Sequence, residues 1–131
     1  MTDTVHYGMT VEQLDSLHSA HLERMENFRR DKESLTPNSI PEAVIQLCEL
    51  YDKHFNTDPY HINCGMCEDF AMDLIEIVGR GEVCWWDCMP DSKPNEAYWP
   101  SHAFAMIDGK IYDSQSPEGV VDWRDLHIYA G

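Results

Sequence analysis

A cysteine becomes a strong nucleophile near neutral pH only as its thiolate. A helix N-terminus and a neighbouring imidazole both favour that form. Cys67 follows Gly65 and Met66, where Phe70, Ala71, Leu74, Ile75 and Val78 predict a helix over 68–78, closed by Gly79. A base, and a third group to orient it, must come from another element. The stretch from His102 to Ser114 offers both, because Asp108-Gly109 sits between two apolar runs and predicts a hairpin with a two-residue turn. In that register Ile107 faces Lys110, Phe104 faces Asp113 and His102 faces Gln115. His102 and Asp113 become diagonal neighbours ~7–8 Å apart at the backbone, within reach of an imidazole–carboxylate hydrogen bond. His102, Phe104, Met106, Ile111, Asp113 and Gln115 share one face, whose apolar members are expected to pack on the helix led by Cys67. A slip of one residue would turn His102 to the other face.

An acyl-transfer site also needs donors for the oxyanion. The Cys67 backbone N–H is one, and Asn63 and His61 are chemically suited to be a second, although Asn63 also suits a helix cap and His61 a loop. Trp85, Trp86 and Trp99 are candidates to line a substrate groove, with the core as their other destination. Cys48 lies inside an apolar helical stripe and is read as core. A rival arrangement uses Cys64, Cys67, Cys84 and Cys88 as zinc ligands, which approaches zinc-ribbon spacing. The second pair is one residue too wide for that pattern, the segment between is helical, and the hairpin is left without a role. A redox dithiol at Cys64 and Cys67 would want a strand just before it, and Thr57 to Ile62 makes a poor one.

Gly65-Met-Cys-Glu-Asp-Phe-Ala71 resembles the nucleophile segment of the transglutaminase-like superfamily, and Ser101-His-Ala-Phe-Ala-Met-Ile-Asp-Gly-Lys-Ile-Tyr-Asp-Ser114 resembles its histidine–aspartate hairpin. Phe104 stands where many members have tryptophan. The resemblance covers roughly residues 64–114. It implies Cys67 as nucleophile, His102 as base and Asp113 as orienting acid. It also implies a papain-like α+β core, in which a cysteine-bearing helix packs on a small antiparallel sheet. The activity implied is a thiol-dependent hydrolase or acyltransferase on a peptide or amide bond, whether protease, deamidase or transamidase, with no metal and no cofactor. A catalytically inactive binding module of the same fold is the alternative of a different class.

The surrounding chain must position these residues. Thr10-Val-Glu-Gln13 reads as a capping box, and Val11, Leu14, Leu17, Leu22, Met25 and Phe28 follow at helical spacing over roughly 10–32. Ser39-Ile-Pro-Glu42 starts a second helix whose stripe is Ile40, Ala43, Val44, Leu47, Cys48, Tyr51 and Phe55, broken by Asn56 to Tyr60. Val83 to Trp86 and Val120 to Trp123 are candidate strands, and Met89 to Glu96 a loop. Helices first and an antiparallel sheet after them make an α+β chain. At 131 residues one domain is expected, with 1–56 as a helical N-terminal part and 57–131 carrying the catalytic helix and sheet.

Composition narrows the partners. With 24 acidic against 9 basic side chains the chain carries a formal charge of −15, which repels phosphate and disfavours nucleic acid and anionic membranes. Solubility is the plain consequence of that charge; attraction to a cationic protein or peptide substrate is the functional one. No apolar run reaches the ~18 residues of a membrane helix. The start, Met-Thr-Asp-Thr-Val-His, has neither the basic nor the apolar part of a secretion signal. Five cysteines cannot all pair, so reduced thiols and a cytoplasmic location are expected.

Overall fold

The computed structural model describes residues 10–88 and 101–130, without the side chain of Cys88. The Met89–Glu96 loop and Trp99 therefore lie outside the described residues. Helix α1 runs over Val11–Glu33, α2 over Ile40–Phe55, α3 over Pro59–Gly65 and α4 over Cys67–Val78. Strands follow at Glu82–Trp85 (β1), Ala103–Ile107 (β2), Lys110–Asp113 (β3) and Ser116–Val120 (β4), then a short helix α5, His127–Ala130. The strands form one antiparallel sheet in the order β1-β2-β3-β4, so the chain is α+β.

The local signals act as their chemistry requires. Thr10 and Gln13 close a reciprocal capping box on α1, and the Ser39 side chain accepts from the Glu42 N–H on α2. Asp108 and Gly109 both take the left-handed backbone, φ 52° and 80°, that a two-residue turn of type I′ demands. That turn fixes the register: Ile107 opposite Lys110, Met106 opposite Ile111, Ala105 opposite Tyr112.

Strands β2 and β3 are largely buried on both faces, and the helix-packed face of the sheet is not the expected one. Ala105, Ile107 and Tyr112 join Phe70, Ala71 and Leu74 of α4 and Val44, Leu47 and Tyr51 of α2 in the larger core. Small residues at 103 and 105 let α4 lie close to the sheet. Phe104, Met106 and Ile111, expected against that helix, instead pack under Trp123 and Leu126 from the C-terminal segment. The candidate strand Val120–Trp123 is also displaced. β4 ends at Val120, Val121 is exposed, and Asp122 caps a single 3-10 turn, Trp123–Asp125.

A polar knot ties three helices beneath this core. Asp73 on α4 accepts from Tyr51 Oη of α2 at 2.7 Å and from Lys32 Nζ of α1 at 2.8 Å. The Lys32 side chain is only 10% exposed, and without Asp73 its ammonium would keep only the largely exposed Glu76, 3.2 Å away. Asp73→Ala is expected to cost about 2 kcal/mol, because two donors lose their acceptor together. Urea unfolding of the variant and the parent measures this, and an unchanged midpoint would show that water replaces the carboxylate.

Candidate functional site

The Cys67-bearing helix begins one residue after another helix ends. Asp58 caps α3, accepting from the His61 N–H, and Pro59 occupies its first turn. Met66 then serves as C-cap of α3 and N-cap of α4, and no side chain caps the first turn of α4. Cys67 is thus the first residue of a twelve-residue helix whose N-cap, Met66, supplies no side-chain acceptor to the leading N–H groups.

His102 immediately precedes β2, with a fully buried side chain. Its Nε2 lies 2.8 Å from Asp113 Oδ2, the diagonal contact that the hairpin register sets up. Cys67 reaches it from the end of the sheet rather than across its face: the Ala103 N–H, next to His102, donates to Cys67 Sγ at 3.5 Å. His102 Nδ1 is buried with no hydrogen-bond partner among the described residues. It is the nitrogen left over once Nε2 is bound to the acid. The thiol and the ring nevertheless shift one another, because a thiolate–imidazolium attraction reaches beyond hydrogen-bond contact.

Burial pushes the Cys67 thiol up, but the His102 ring, the Ala103 N–H and the Glu68 N–H together bring it below its ordinary value. Burial would likewise lower His102; the hydrogen bond to Asp113 and the charges of Asp113 and Cys67 overcome this and raise it to about 9. The arrangement favours thiolate and imidazolium side by side.

Asp113 is held on both oxygens. Oδ1 accepts the Gln115 N–H at 3.0 Å, and Oδ2 faces His102 and, at 3.4 Å, Asn63 Nδ2. Asn63 is buried, and its amide also donates to Gln115 Oε1 at 2.8 Å. The Ser114 hydroxyl lies 2.9 Å from Asn63 Oδ1 and 2.7 Å from the Pro59 carbonyl. This corrects the expectation for Asn63: its donors are spent on Asp113 and Gln115, so it fixes the acid instead of facing an oxyanion. His61 is corrected as well. Its side chain is 67% exposed and turned back onto Asp58, with Nδ1 2.9 Å from Oδ1.

The tryptophans divide. Trp85 lies opposite Ala103 and so belongs to the sheet end that Cys67 approaches. Trp86 is drawn to the other face, 6.1 Å from Trp123 between ring centres, and is core there. Of the four cysteines proposed as zinc ligands, Cys64 is exposed on α3 and Cys84 packs with the Phe104 cluster on the face away from α4. Among the described residues no three His, Cys, Asp or Glu side chains are grouped to hold a metal ion.

The C-terminal segment supplies a part that sequence reasoning missed. Tyr129 of α5 stands edge-on to His102 at 6.1 Å and to Trp123 at 5.1 Å. These rings help keep water from the imidazole. Beside the triad, Tyr60, Asn63, Cys64, Ser101, Gln115 and His127 border a cavity of about 440 Å³. Chemically, the site combines a thiol of lowered pKa, a buried imidazole bound to a fixed carboxylate, and an uncapped helix N-terminus. No family model, curated protein or solved structure matches the chain.

Proposed function

We propose that the protein is a thiol-dependent hydrolase or acyltransferase that attacks a peptide or amide bond through Cys67, His102 and Asp113. The observation that carries this reading is the buried His102 ring, bonded to Asp113 at 2.8 Å, with the Cys67 sulfur 3.5 Å from the N–H of the next residue, Ala103. The resemblance of both motif segments to transglutaminase-like proteins supports it. So does the order of elements, a cysteine-led helix packed on an antiparallel sheet, which agrees with a papain-like core.

In this mechanism Cys67 Sγ attacks the carbonyl carbon, and the oxygen gathers negative charge near the Cys67 N–H at the start of α4. The imidazolium gives its proton to the departing nitrogen as the C–N bond breaks, leaving a thioester and neutral His102. His102 then takes a proton from water or from an acceptor amine, whose attack on the thioester releases acid or new amide and returns the thiolate. Asp113 keeps the ring oriented and steadies its positive charge throughout.

p-Nitrophenyl acetate tests the reading without knowledge of the natural substrate. A burst of p-nitrophenol is expected, with one acetyl group on Cys67 in the intact mass, removed by neutral hydroxylamine. Cys67→Ala should show neither. Acetylation confined to another residue, or no faster than that of a free thiol in solution, would reject the proposal.

A further inference from the structure

A second cavity, of about 510 Å³, opens between α2, the start of α3 and β4. We propose that it is a docking site for a basic polypeptide segment, taking an arginine or lysine side chain with an apolar residue beside it. Its walls are apolar: Val44, Cys48, Pro59 and Pro117 line it. Its other lining groups include three carboxylates, Glu49, Asp52 and Asp58. Asp58 is engaged with His61, whereas Glu49 and Asp52 have no ion-pair partner among the described residues. Acidic groups around an apolar cavity suit a long basic side chain, whose methylenes lie on apolar surface while its head meets the charge.

Ile45 points to a polypeptide rather than a free small cation. It also lines the cavity, yet is 52% exposed, so it offers apolar surface to a residue adjoining the one inserted. The charge of −15 would draw such a segment from a distance. The position is also suggestive. Pro59 and Ser114 line this cavity, while Tyr60, Asn63 and Gln115 line the one beside the triad. Only the α3 segment and the β3–β4 turn separate them, so one chain could occupy both. Docking itself requires no Cys67 chemistry.

The test uses the Cys67→Ala protein, so its outcome is independent of catalysis. A fluorescein-labelled hexapeptide of alternating arginine and leucine is titrated at physiological salt and followed by anisotropy. Saturable binding is expected. Glu49→Gln with Asp52→Asn should weaken it by about tenfold or more, since charge-assisted contacts are lost together. Neutralising two acids on α1 instead, Glu12→Gln with Asp15→Asn, should leave it nearly unchanged. No saturable binding, an equal loss from both pairs of substitutions, equal binding of a glutamate–leucine peptide, or equally effective displacement by spermidine would each overturn the proposal.

Discussion

His102→Ala is expected to slow alkylation of Cys67 at pH 7 by about tenfold or more, with the fold intact. Burial alone would hold this thiol above its ordinary value, and the His102 ring is the largest of the influences that bring it down. Without the ring, only the Ala103 and Glu68 N–H groups still oppose burial, so less of the thiol is ionised at pH 7, partly offset because a more basic thiolate is intrinsically more nucleophilic. Asp113→Ala should lie between the variant and the parent, because the acid acts on the thiol through His102. Asp122→Ala should match the parent: that carboxylate accepts the Arg124 N–H at the 3-10 turn, away from the ring. The measurement is the second-order rate constant with iodoacetamide, mapped to Cys67 by mass spectrometry. Equal rates for parent and His102→Ala would remove the imidazole from the account. A large loss in Asp122→Ala with none in Asp113→Ala would mean the wrong carboxylate was identified.

The hairpin was legible because a two-residue turn leaves no freedom of register, and a register determines which side chains are neighbours. Helix starts were legible where a side-chain oxygen meets a free N–H, as at Thr10 and Ser39. Elements built from residues that look like breakers were not. Asp58 and Pro59 read as the end of α2, yet an aspartate cap followed by proline is also how a helix begins, and α3 is too short to show a period. β4 contains Pro117 and Gly119, poor strand residues in general. Pro117 is tolerated because β4 is an edge strand, and Gly119 is needed because a Cβ there would lie 2.7 Å from the Tyr112 ring.

Both faces of β2 are apolar, so alternation could not say which face meets α4. Side-chain size decides it: alanines 103 and 105 admit a helix, while Phe104 needs the room that Trp123 and Leu126 enclose. Asn63 reads from the sequence as an oxyanion donor or a helix cap, whereas its contacts depend on Asp113, Ser114 and Gln115 arriving from about 50 residues away. No local spacing carries that information. The same holds for Tyr129, which meets His102 only after the chain has returned over the sheet.

Cys67→Ala is expected to make stability depend more steeply on pH than it does in the parent. His102 sits at about 9 in the fold against 6.5 as its ordinary value. It therefore contributes stability that is complete below pH 6.5 and is lost as pH rises through about 9. Cys67 acts in the opposite sense. Its lowered pKa contributes stability that is complete above 9.0, its ordinary value, and is lost as pH falls through the folded value. In the window where both hold, folded thiolate with imidazolium carries as many protons as unfolded thiol with neutral imidazole. The two slopes then offset each other, and the pair leaves little pH dependence in the parent. Alanine removes one slope and leaves the other, since Asp113 still supports the imidazolium at 2.8 Å. Between pH 6 and 9 the variant should lose ~1–2 kcal/mol more than the parent does, less than the whole His102 shift at about 1.4 kcal/mol per pKa unit, because Cys67 supports part of that shift. Urea midpoints at half-unit steps of pH give both curves, and all other titrating groups are common to them. Parallel curves, or a flatter one for the variant, would mean that Asp113 alone does not keep the His102 ring protonated in the fold.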